Sequence, residues 1–505
     1  MASQREGDYL IHFLLVPLMS QSHLIPFVDL AKLLAGRGHT ATILLTPRNA
    51  IRFLPSVAAK ESLADSNSKI QFLVLPFPGK EAGLPDGCEN MDSLPSPDFI
   101  SKFFDASNLL QGPLEDWLDA ADPRPDCLIC DICLPWTADL GLRFNLPRIV
   151  FHGISCFTLL CSHKLKKLKV MGKLPQAADN TEPFQVPDLP DEISFTMAQM
   201  PELQLSADKK DGGVLDRFKA AEMTADGVIV NTFEELESGY VKGYRGVVKR
   251  LWCIGPVSIC NTNGVGIHRG NESSIDESLC LEWLDSRSPG SVLYVCFGSI
   301  CRHILATQLI ELAIGLESSG CSFIWVIKKD PEVYSRELES WLREEKYEER
   351  VAGRGLIIKG WAPQVLILSH HAVGGFMSHC GWNSTLEGAA AGVPMITWPM
   401  FAEQFYNEKL VVQVNQTGVV VGVERCMTWG KEEEIGVLVR RDAVKLAIER
   451  LMGGRGEGEE RRRKAREMAE LAKRAVEDGG SSYKNMSLMI HHVRTLLNGI
   501  DRSGR

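Results

Sequence analysis

Two apolar patterns alternate along the chain: short, almost uninterrupted apolar runs, and longer segments with an apolar residue about every 3.6 positions. The run at Leu10–Leu18, LIHFLLVPL, is of the first kind, which is typical of a strand buried on both faces of a parallel sheet. The next segment, HLIPFVDLAKLLAG, is of the second kind. Ser20 or Ser22 can cap a helix there, and Gly36 can end it. With another strand at Thr40–Thr46, the chain is predicted to begin as a β–α–β unit.

The same alternation recurs in both halves of the chain. Further strands are predicted within Pro125–Trp136, Gly227–Phe233, Ser291–Phe297, Cys321–Lys328, Gly355–Trp361, Ala372–Ser378, Val393–Pro399 and Thr417–Val423. Helices are predicted at Thr307–Ser318, Gln364–Ser369, Ser384–Ala391, Ala402–Val414, Asp442–Met452, Glu459–Val476 and Lys484–Leu497. Because strands alternate with helices in both halves, we predict an α/β fold of two doubly wound, Rossmann-like domains facing each other across a cleft.

One segment interrupts this alternation. Ser258–Ser278 lacks apolar periodicity, which predicts a linker or a long surface loop. We therefore place an N-terminal domain at 1–250, a linker at 251–285, a C-terminal domain at 286–460 and closing helices at 461–505. Ligands of doubly wound sheets bind beyond the carboxyl ends of the strands, so the cleft between the domains is the expected site.

Composition narrows the range of functions. Of 505 residues, 45% are hydrophobic, and the net charge of −9 argues against a nucleic-acid partner, which usually requires a basic surface. The first residues lack the layout of a secretion signal, and no apolar run reaches the ~18 residues of a membrane span. Fourteen cysteines in such a chain are typical of reduced thiols. We therefore expect a cytoplasmic protein without stable membrane insertion.

The stretch SHCGWNSTLEGAAAGVP, at Ser378–Pro394, has the features of an anion site. Small and polar residues separate an apolar strand from a helix, and backbone N–H groups at a helix N-terminus suit a phosphate. A second strand end, CFGSI, offers Gly298 and Ser299. Two such donor sets in one domain suit a diphosphate. The same residues also suit a strand–turn–helix connection that binds nothing, so the residues alone leave both interpretations open.

The wider sequence resembles one family. Trp361–Gln404, WAPQVLILSHHAVGGFMSHCGWNSTLEGAAAGVPMITWPMFAEQ, resembles the signature box of plant family-1 UDP-dependent glycosyltransferases over its full length. The segments LLVPLMSQSHLIPFVDLAKLLA, CLEWLDSRSPGSVLYVCFGS and GGSSYKNM extend the resemblance over nearly the whole chain. It implies a GT-B fold, in which the C-terminal domain binds a UDP-sugar, the N-terminal domain binds an acceptor, and the last helix packs back on the N-terminal domain.

The resemblance also implies which residues hold the nucleoside. Trp361 would stack on the uracil, since an indole offers a flat apolar face to a base. The Ala362 backbone and the Gln364 side chain would bind the base and the ribose. Glu387 would hold the ribose hydroxyls, for which a carboxylate supplies paired acceptors.

Other residues of the box are implied to hold the diphosphate and the sugar. Ser299, His379, Asn383 and Ser384 would contact the diphosphate, and Gly381 would allow its close approach. The residues implied to face the sugar are Trp382, Glu403 and Gln404. Within the family, Trp and Gln at the positions of the first and last of these accompany glucose donors, so UDP-glucose is the expected donor.

His23 and Asp131 are the implied catalytic pair. Both follow predicted strands, where a His alone is more often an ordinary packed or surface residue. A neutral imidazole can accept a hydroxyl proton near neutral pH, and a neighbouring carboxylate fixes its tautomer. The family usually has Gly before this His. Here the residue is Ser22, which affects the local backbone and the expected approach of the acceptor.

A metal site is less well supported. Cys127, Cys130 and Cys133 match the start of an iron–sulfur spacing, but Thr137 stands where a fourth ligand is expected, and alternate side chains of a strand point to opposite faces. Zinc among the histidines of 370–380 is disfavoured by the strand between them. We expect no metal and no cofactor, and the resemblance implies that UDP-glucose is the donor substrate.

The resemblance implies inverting transfer of glucose to a hydroxyl of a small apolar plant metabolite, such as a triterpenoid, a steroid or a flavonoid, to give a β-O-glucoside. The acceptor would contact Leu84–Phe104, His152–Leu160 and Phe184–Met200. We expect a monomer. The alternatives are a non-catalytic UDP-sugar-binding protein, a UDP-sugar hydrolase, and the same enzyme with another UDP-sugar donor.

Overall fold

Parallel strands form the framework of the protein in a computed structural model. It describes residues 10–58, 69–175, 181–201, 213–261, 269–299, 304–328, 336–429, 431–454 and 456–503. The strands are β1 (His12–Val16), β2 (Thr40–Leu45), β3 (Ile70–Val74), β4 (Cys127–Asp131), β5 (Arg148–His152), β6 (Phe184–Gln185), β7 (Ser194–Phe195), β8 (Gly227–Val230), β9 (Leu251–Cys253), β10 (Val292–Cys296), β11 (Ser322–Ile327), β12 (Gly355–Lys359), β13 (Val373–Ser378), β14 (Met395–Thr397) and β15 (Gly418–Val420).

Helices connect these strands. They are α1 (Gln21–Gly36), α2 (Pro47–Ala58), α3 (Ile100–Leu109), α4 (Gln111–Ala120), α5 (Thr137–Arg143), α6 (Cys156–Val170), α7 (Val214–Met223), α8 (Ser238–Arg245), α9 (Glu277–Asp285), α10 (Ala306–Ser319), α11 (Arg336–Glu344), α12 (Tyr347–Arg350), α13 (Gln364–Leu368), α14 (Trp382–Ala391), α15 (Gln404–Lys409), α16 (Glu432–Ile435), α17 (Arg441–Met452), α18 (Glu457–Val476) and α19 (Ser481–Ser503). Short 3₁₀ turns occur at Met91–Ser93, Pro97–Phe99, Met197–Gln199, Glu234–Leu236 and Val257–Asn261, and a π-helical turn at Leu410–Val414.

The strands form two parallel sheets. The first has the order β3-β2-β1-β4-β5-β8-β9, and the second has the order β12-β11-β10-β13-β14-β15. β4, with the sequence CLICD, is buried at all five positions, as a strand covered by helices on both faces requires. The predicted pair of doubly wound, Rossmann-like domains of the GT-B type is therefore confirmed. β6 and β7 form a separate antiparallel pair.

The carboxyl ends of the two sheets meet at the cleft. The Asn383 side chain, at the start of α14, donates to the Ser22 carbonyl at the start of α1, with 2.7 Å between Nδ2 and O. The Trp382 indole Nε1 donates to the Asn231 carbonyl, just after β8, over 2.7 Å. Loops that follow strands of both sheets therefore line the same space, which is where the sequence places the site.

The closing helix α19 contacts the first sheet at β9. The Asn485 side chain donates to Glu234 Oε1 over 2.8 Å, and Arg37, the residue directly after α1, donates to Ser487 Oγ over 2.9 Å. Arg37 also lies over the Tyr483 ring, 4.1 Å from its centroid. None of the helices in the described part of the chain has the length and apolarity that a membrane span needs.

The segment predicted as a linker, 251–285, is more structured than its composition indicates. It begins with β9, which pairs with β8 of the first sheet, and it ends with α9. Cys280 and Leu284 of α9 are buried in an apolar cluster with residues of the second sheet. A three-residue strand and a nine-residue helix are too short to give a clear periodic signal. Residues 262–268 of this segment, 1–9 and 504–505 lie outside the described residues.

Candidate active site

The two implied catalytic residues lie where neighbouring strands end. His23 is in the first turn of α1, directly after β1, and Asp131 is the last residue of β4. β1 pairs with β4 in parallel, so their carboxyl ends lie side by side. His23 Nδ1 lies 2.7 Å from Asp131 Oδ2. The local fold therefore brings together two residues that are 108 positions apart in the sequence.

Hydrogen bonds fix the carboxylate of this pair. Asp131 has a side chain that is only 2% exposed, and its Oδ1 accepts the Cys133 N–H over 3.0 Å. Its Oδ2 accepts from His23 and also from the Leu18 N–H, at 3.5 Å. An ionised carboxylate held in this way accepts a hydrogen bond from the protonated Nδ1 of His23, so the lone pair of Nε2 remains available to take up another proton. The His23 side chain is 30% exposed, so a substrate can reach it.

Charge balance sets the pKa of the pair. Burial lowers the pKa of His23. The charge of Asp131 and the hydrogen bond to it raise that pKa by more than burial lowers it, and the charge of Glu403 adds to the increase. The net pKa of His23 lies above its ordinary value. Burial raises the pKa of Asp131, yet His23 and the two backbone N–H groups outweigh this, so its net pKa is lowered. Glu403, from the loop before α15, therefore acts on His23 across the cleft.

The ring of His379 lies between two glycine backbones at the ends of β10 and β13. A Cβ at Gly298 would lie 2.5 Å from His379 Cε1, and a Cβ at Gly381 would lie 2.3 Å from His379 Nε2. Cys380, which lies between His379 and Gly381 in the chain, has a φ of 64°, a conformation that costs energy for a residue with a side chain. Burial lowers the pKa of His379 to about 4, so the ring is neutral near pH 7.

A neutral His379 suits an anion at the N-terminus of α14. Its Nδ1 is buried, with no hydrogen-bond partner among the described residues. Four backbone N–H groups at a helix start lack intrahelical partners, and the helix end carries roughly half a positive charge. Ser384, in the first turn of α14, is buried beside them. Ser299 lies at the neighbouring strand end, where its carbonyl accepts from the Lys328 side chain.

The residues assigned to the nucleoside form a second hydrogen-bonded group. Gln364 Nε2 donates to Glu387 Oε2 over 2.7 Å and to Ser384 Oγ over 3.0 Å. Trp361 is held by its backbone: its N–H donates to Ser274 Oγ over 2.9 Å, and its carbonyl accepts the Ser274 N–H over 2.8 Å. Ala362, the next residue, is buried. The chain thus places an indole, an amide and a carboxylate along one wall.

Two of the residues assigned to the sugar are partly engaged elsewhere. Gln404 Oε1 accepts the backbone N–H groups of Met400, at 2.8 Å, and Phe401, at 3.1 Å, so only its amide N–H groups can reach a ligand. The Trp382 N–H is bonded to the first domain, as described above, and the side chain is 2% exposed. Trp382 therefore connects the two domains as well as lining the cleft, a contact that its sequence position did not indicate.

One large cavity, of about 1460 Å³, connects these groups. Its lining includes His23 and all the residues assigned to the donor: Ser299, Trp361, Ala362, Gln364, His379, Gly381, Trp382, Asn383, Ser384, Glu387, Glu403 and Gln404. Asp131 lies behind His23 and does not line it. Each segment expected to contact the acceptor also contributes, with Ile100 and Phe104 from the first, Leu159 from the second, and Met197 and Met200 from the third.

Comparisons with known proteins identify the family to which this chain belongs. Residues 261–445 match the family model described as UDP-glucoronosyl and UDP-glucosyl transferase. UDP-glycosyltransferase 73C3 of Arabidopsis thaliana is 50% identical over 490 residues, covering 96% of this chain and 97% of its own. UDP-glycosyltransferase 73E1 of Stevia rebaudiana is 48% identical, with 96% of each chain covered. The chain belongs to the plant family-1 UDP-glycosyltransferases. It is therefore an enzyme, which removes the non-catalytic alternative.

Solved structures place this glycosyltransferase in the same fold. The crystal structure of Glycyrrhiza uralensis UGT73P12 complexed with glycyrrhetinic acid 3-O-monoglucuronide matches with a TM-score of 0.87 and 34% identity, covering 98% of each chain. That of Arabidopsis thaliana UGT89C1 complexed with UDP-L-rhamnose matches with a TM-score of 0.74 and 28% identity, covering 96% of this chain and 99% of that one. This UDP-glycosyltransferase therefore shares its fold with both solved structures over nearly the whole length of each chain.

The structure of this glycosyltransferase adds cavity residues that the sequence did not indicate. The second half of α6 and the helix α7 form the far wall of the acceptor side, where Lys219 and Glu222 line the cavity. Glu222 Oε1 lies 2.8 Å from His152 Nε2 and accepts a hydrogen bond from the Tyr244 hydroxyl over 2.8 Å. Burial raises the pKa of Glu222. Hydrogen bonds to His152 and Lys219 and their charges lower it by more than burial raises it, so the net pKa is about 2. Arg269, from the predicted linker, also lines the cavity.

Proposed function

We propose that the enzyme transfers glucose from UDP-glucose to a hydroxyl of a small, largely apolar metabolite, with inversion at the anomeric carbon. One observation supports this most: a continuous cavity joins His23 to the whole set of residues that the family resemblance assigns to the UDP-sugar. The acceptor side of that cavity carries Ile100, Phe104, Leu159 and Met200, which suit an apolar ring system.

The proposed reaction is a single displacement. His23 Nε2 takes the proton of the acceptor hydroxyl while that oxygen forms a bond to the anomeric carbon. On the opposite side, the bond from this carbon to the diphosphate breaks, and UDP leaves. Asp131 stabilises the imidazolium that forms, and such a base typically contributes about 10²–10⁴ in rate. The product is a β-O-glucoside because attack and departure occur on opposite faces.

The leaving group needs stabilisation without a metal in this proposal. The N-terminus of α14 and the neutral His379 would bind the developing charge of UDP. Trp382 and Gln404 support glucose as the sugar through the family trend. A solved neighbour with another donor gives reason to test this directly, since the Arabidopsis thaliana structure is complexed with UDP-L-rhamnose.

The deciding experiment is a donor and acceptor panel. The purified protein is incubated with UDP-glucose, UDP-galactose or UDP-glucuronic acid and with a triterpenoid, a steroid or a flavonoid, and products are identified by mass. Proton NMR of the purified product gives the anomeric configuration. We expect acceptor-dependent release of UDP, preference for UDP-glucose and a β-anomer. UDP release that is independent of the acceptor, or an α-anomer, would contradict the proposal.

A further inference from the structure

Arg269 bridges the two domains at the nucleoside end of the cavity. It lies in the segment between the domains, and its guanidinium binds a carboxylate on each side. Nε and Nη2 donate to Asp29 Oδ2 in α1, over 2.9 and 2.7 Å. Nη1 donates to Glu387 Oε1 in α14. The three side chains therefore form a continuous connection from the first domain, through the interdomain segment, to the second domain.

This connection is buried. The Asp29 side chain is 0% exposed, that of Glu387 5% and that of Arg269 15%. Burial lowers the pKa of Arg269, but the charges of Asp29 and Glu387 and the hydrogen bonds to them raise it above its ordinary value. Removing the guanidinium would leave two buried carboxylates without its positive charge, which is costly. Such a pair is not an incidental surface contact.

Glu387 is the member of this group that resemblance assigns to the ribose. Its two oxygens have separate partners: Oε1 accepts from Arg269, and Oε2 accepts from Gln364 Nε2 over 2.7 Å. Each carboxylate oxygen retains a further acceptor position, as two vicinal hydroxyls would require. Arg269 and Glu387 both line the cavity. The rotation of the carboxylate plane is therefore set by Arg269 on one side and by Gln364 on the other.

The residues after Arg269 hold the segment against the base-binding wall. Gly270 has a φ of 90°, and a Cβ there would lie 2.5 Å from Gln21 Nε2 and 2.9 Å from Trp361 Cζ2. Only glycine fits such a close approach at this φ without strain. Ser274 forms the pair of hydrogen bonds to the Trp361 backbone described above. Residues 269–274 of this segment are thus built into the site.

We propose that Arg269 is a positioning residue of the donor site: it orients Glu387 for the ribose hydroxyls and, through Asp29, makes nucleotide affinity depend on contact between the domains. The inference rests on the proposed binding of a UDP-sugar at Glu387. It also explains why the segment that looks like a linker in composition carries a buried arginine.

The test is UDP binding to the full-length protein by calorimetry, without an acceptor, together with steady-state kinetics. R269Q removes the charge, and we expect the Kd of UDP and the KM of the sugar donor to rise about tenfold, because loss of a hydrogen bond to a charged group costs on this order. The kcat should change less than about threefold, since the group does not touch the reacting atoms. R269K keeps the charge but not the planar fork, so we expect a rise of about threefold.

Controls separate positioning from general stability. R441Q breaks an arginine–carboxylate pair with Glu311 that does not line the cavity, and it should leave the Kd of UDP unchanged. In an E387Q background, R269Q should add less than about twofold to the Kd, because the group through which it acts is already changed. D29N should raise the Kd in the same direction as R269Q.

The outcomes are distinct. If R269Q does not fold, R269K decides the question, since it retains a positive charge between the two carboxylates. A Kd of UDP in R269K or folded R269Q that equals or is tighter than that of the wild type overturns the proposal. An additive effect of R269Q and E387Q also overturns it. A wild-type protein that does not bind UDP would contradict the proposed function and, with it, the role of Arg269.

Discussion

Replacing Asp131 by Asn tests the proposed catalytic pair most sharply. The substitution preserves the shape of a side chain that is 2% exposed, and Oδ1 can still accept the Cys133 N–H at 3.0 Å. The substitution changes the group that faces His23 Nδ1, which in the wild type is Asp131 Oδ2 at 2.7 Å. An amide NH₂ there donates to Nδ1 and so favours the tautomer with its proton on Nε2, which cannot act as the base.

The magnitude follows from the hydrogen bond that is lost. A hydrogen bond to a charged group is worth about 1.5–3 kcal/mol, which corresponds to roughly 10- to 100-fold in rate at about 1.4 kcal/mol per tenfold. The change of tautomer adds to this cost. We therefore expect D131N to lower kcat by about 10²–10³. The Kd of UDP should be unchanged, because Asp131 does not line the cavity.

The pH dependence of kcat/KM gives an independent test of the catalytic pair. The base works unprotonated, so kcat/KM falls as pH drops through the pKa of His23, which lies above its ordinary value. In D131N the charge and the hydrogen bond that raise this pKa are lost, while burial still lowers it. The acidic limb of the profile should therefore move to lower pH, at the same time as the plateau falls.

The assay measures initial rates of transfer from about pH 5 to about pH 9, a range that brackets the ordinary pKa of an imidazole. UDP release and product are measured together. E311Q, which changes a carboxylate paired with Arg441 away from the cavity, serves as the matched control and should keep the wild-type profile. Melting temperature confirms that D131N is folded. A D131N enzyme with a wild-type plateau, or with its acidic limb unmoved or at higher pH, would refute the assignment.

Three further substitutions test other parts of the site. H23A should lower transfer by about 10²–10⁴-fold while UDP still binds, and retained turnover would contradict the role of the base. W361A should raise the Kd of UDP by about 10–100-fold, since stacking on a base is worth ~1–3 kcal/mol; calorimetry showing equal affinity would contradict this. G381A places a Cβ 2.3 Å from His379 Nε2 and should lower kcat about tenfold, whereas G112A, where a Cβ meets nothing within 4 Å, should not.

The fold could be predicted largely because its strands are nearly continuous apolar runs. Strands such as VLYVC and SFIWVI carry this signal, and the structure has them at Val292–Cys296 and Ser322–Ile327, inside the predicted limits. β5, with the sequence RIVFH, gave no clear signal because Arg148 and His152 occupy its ends. Arg148 is nevertheless buried, where it donates to the Thr224 hydroxyl over 2.8 Å. Tertiary partners of this kind cannot be read from a local pattern.

The site shows the same division. Residues inside one contiguous box could be placed because the box itself carries the resemblance, and they do line one cavity. Partners across the cleft could not be predicted from the sequence. The contact of Trp382 with Asn231 spans 151 positions, and that of Arg269 with Asp29 spans 240. Arg269 lies in a segment whose polar composition predicts a loop, and only the fold shows that its charge is buried between two carboxylates.

A crystal structure of the protein with UDP and an acceptor bound together would test the role of His23 most directly. We expect His23 Nε2 to lie within about 2.6–3.2 Å of one acceptor hydroxyl, and this hydroxyl to face the space beyond the β-phosphate where the sugar would sit. An acceptor hydroxyl near another base, or a His23 ring turned away from the bound nucleotide, would contradict it.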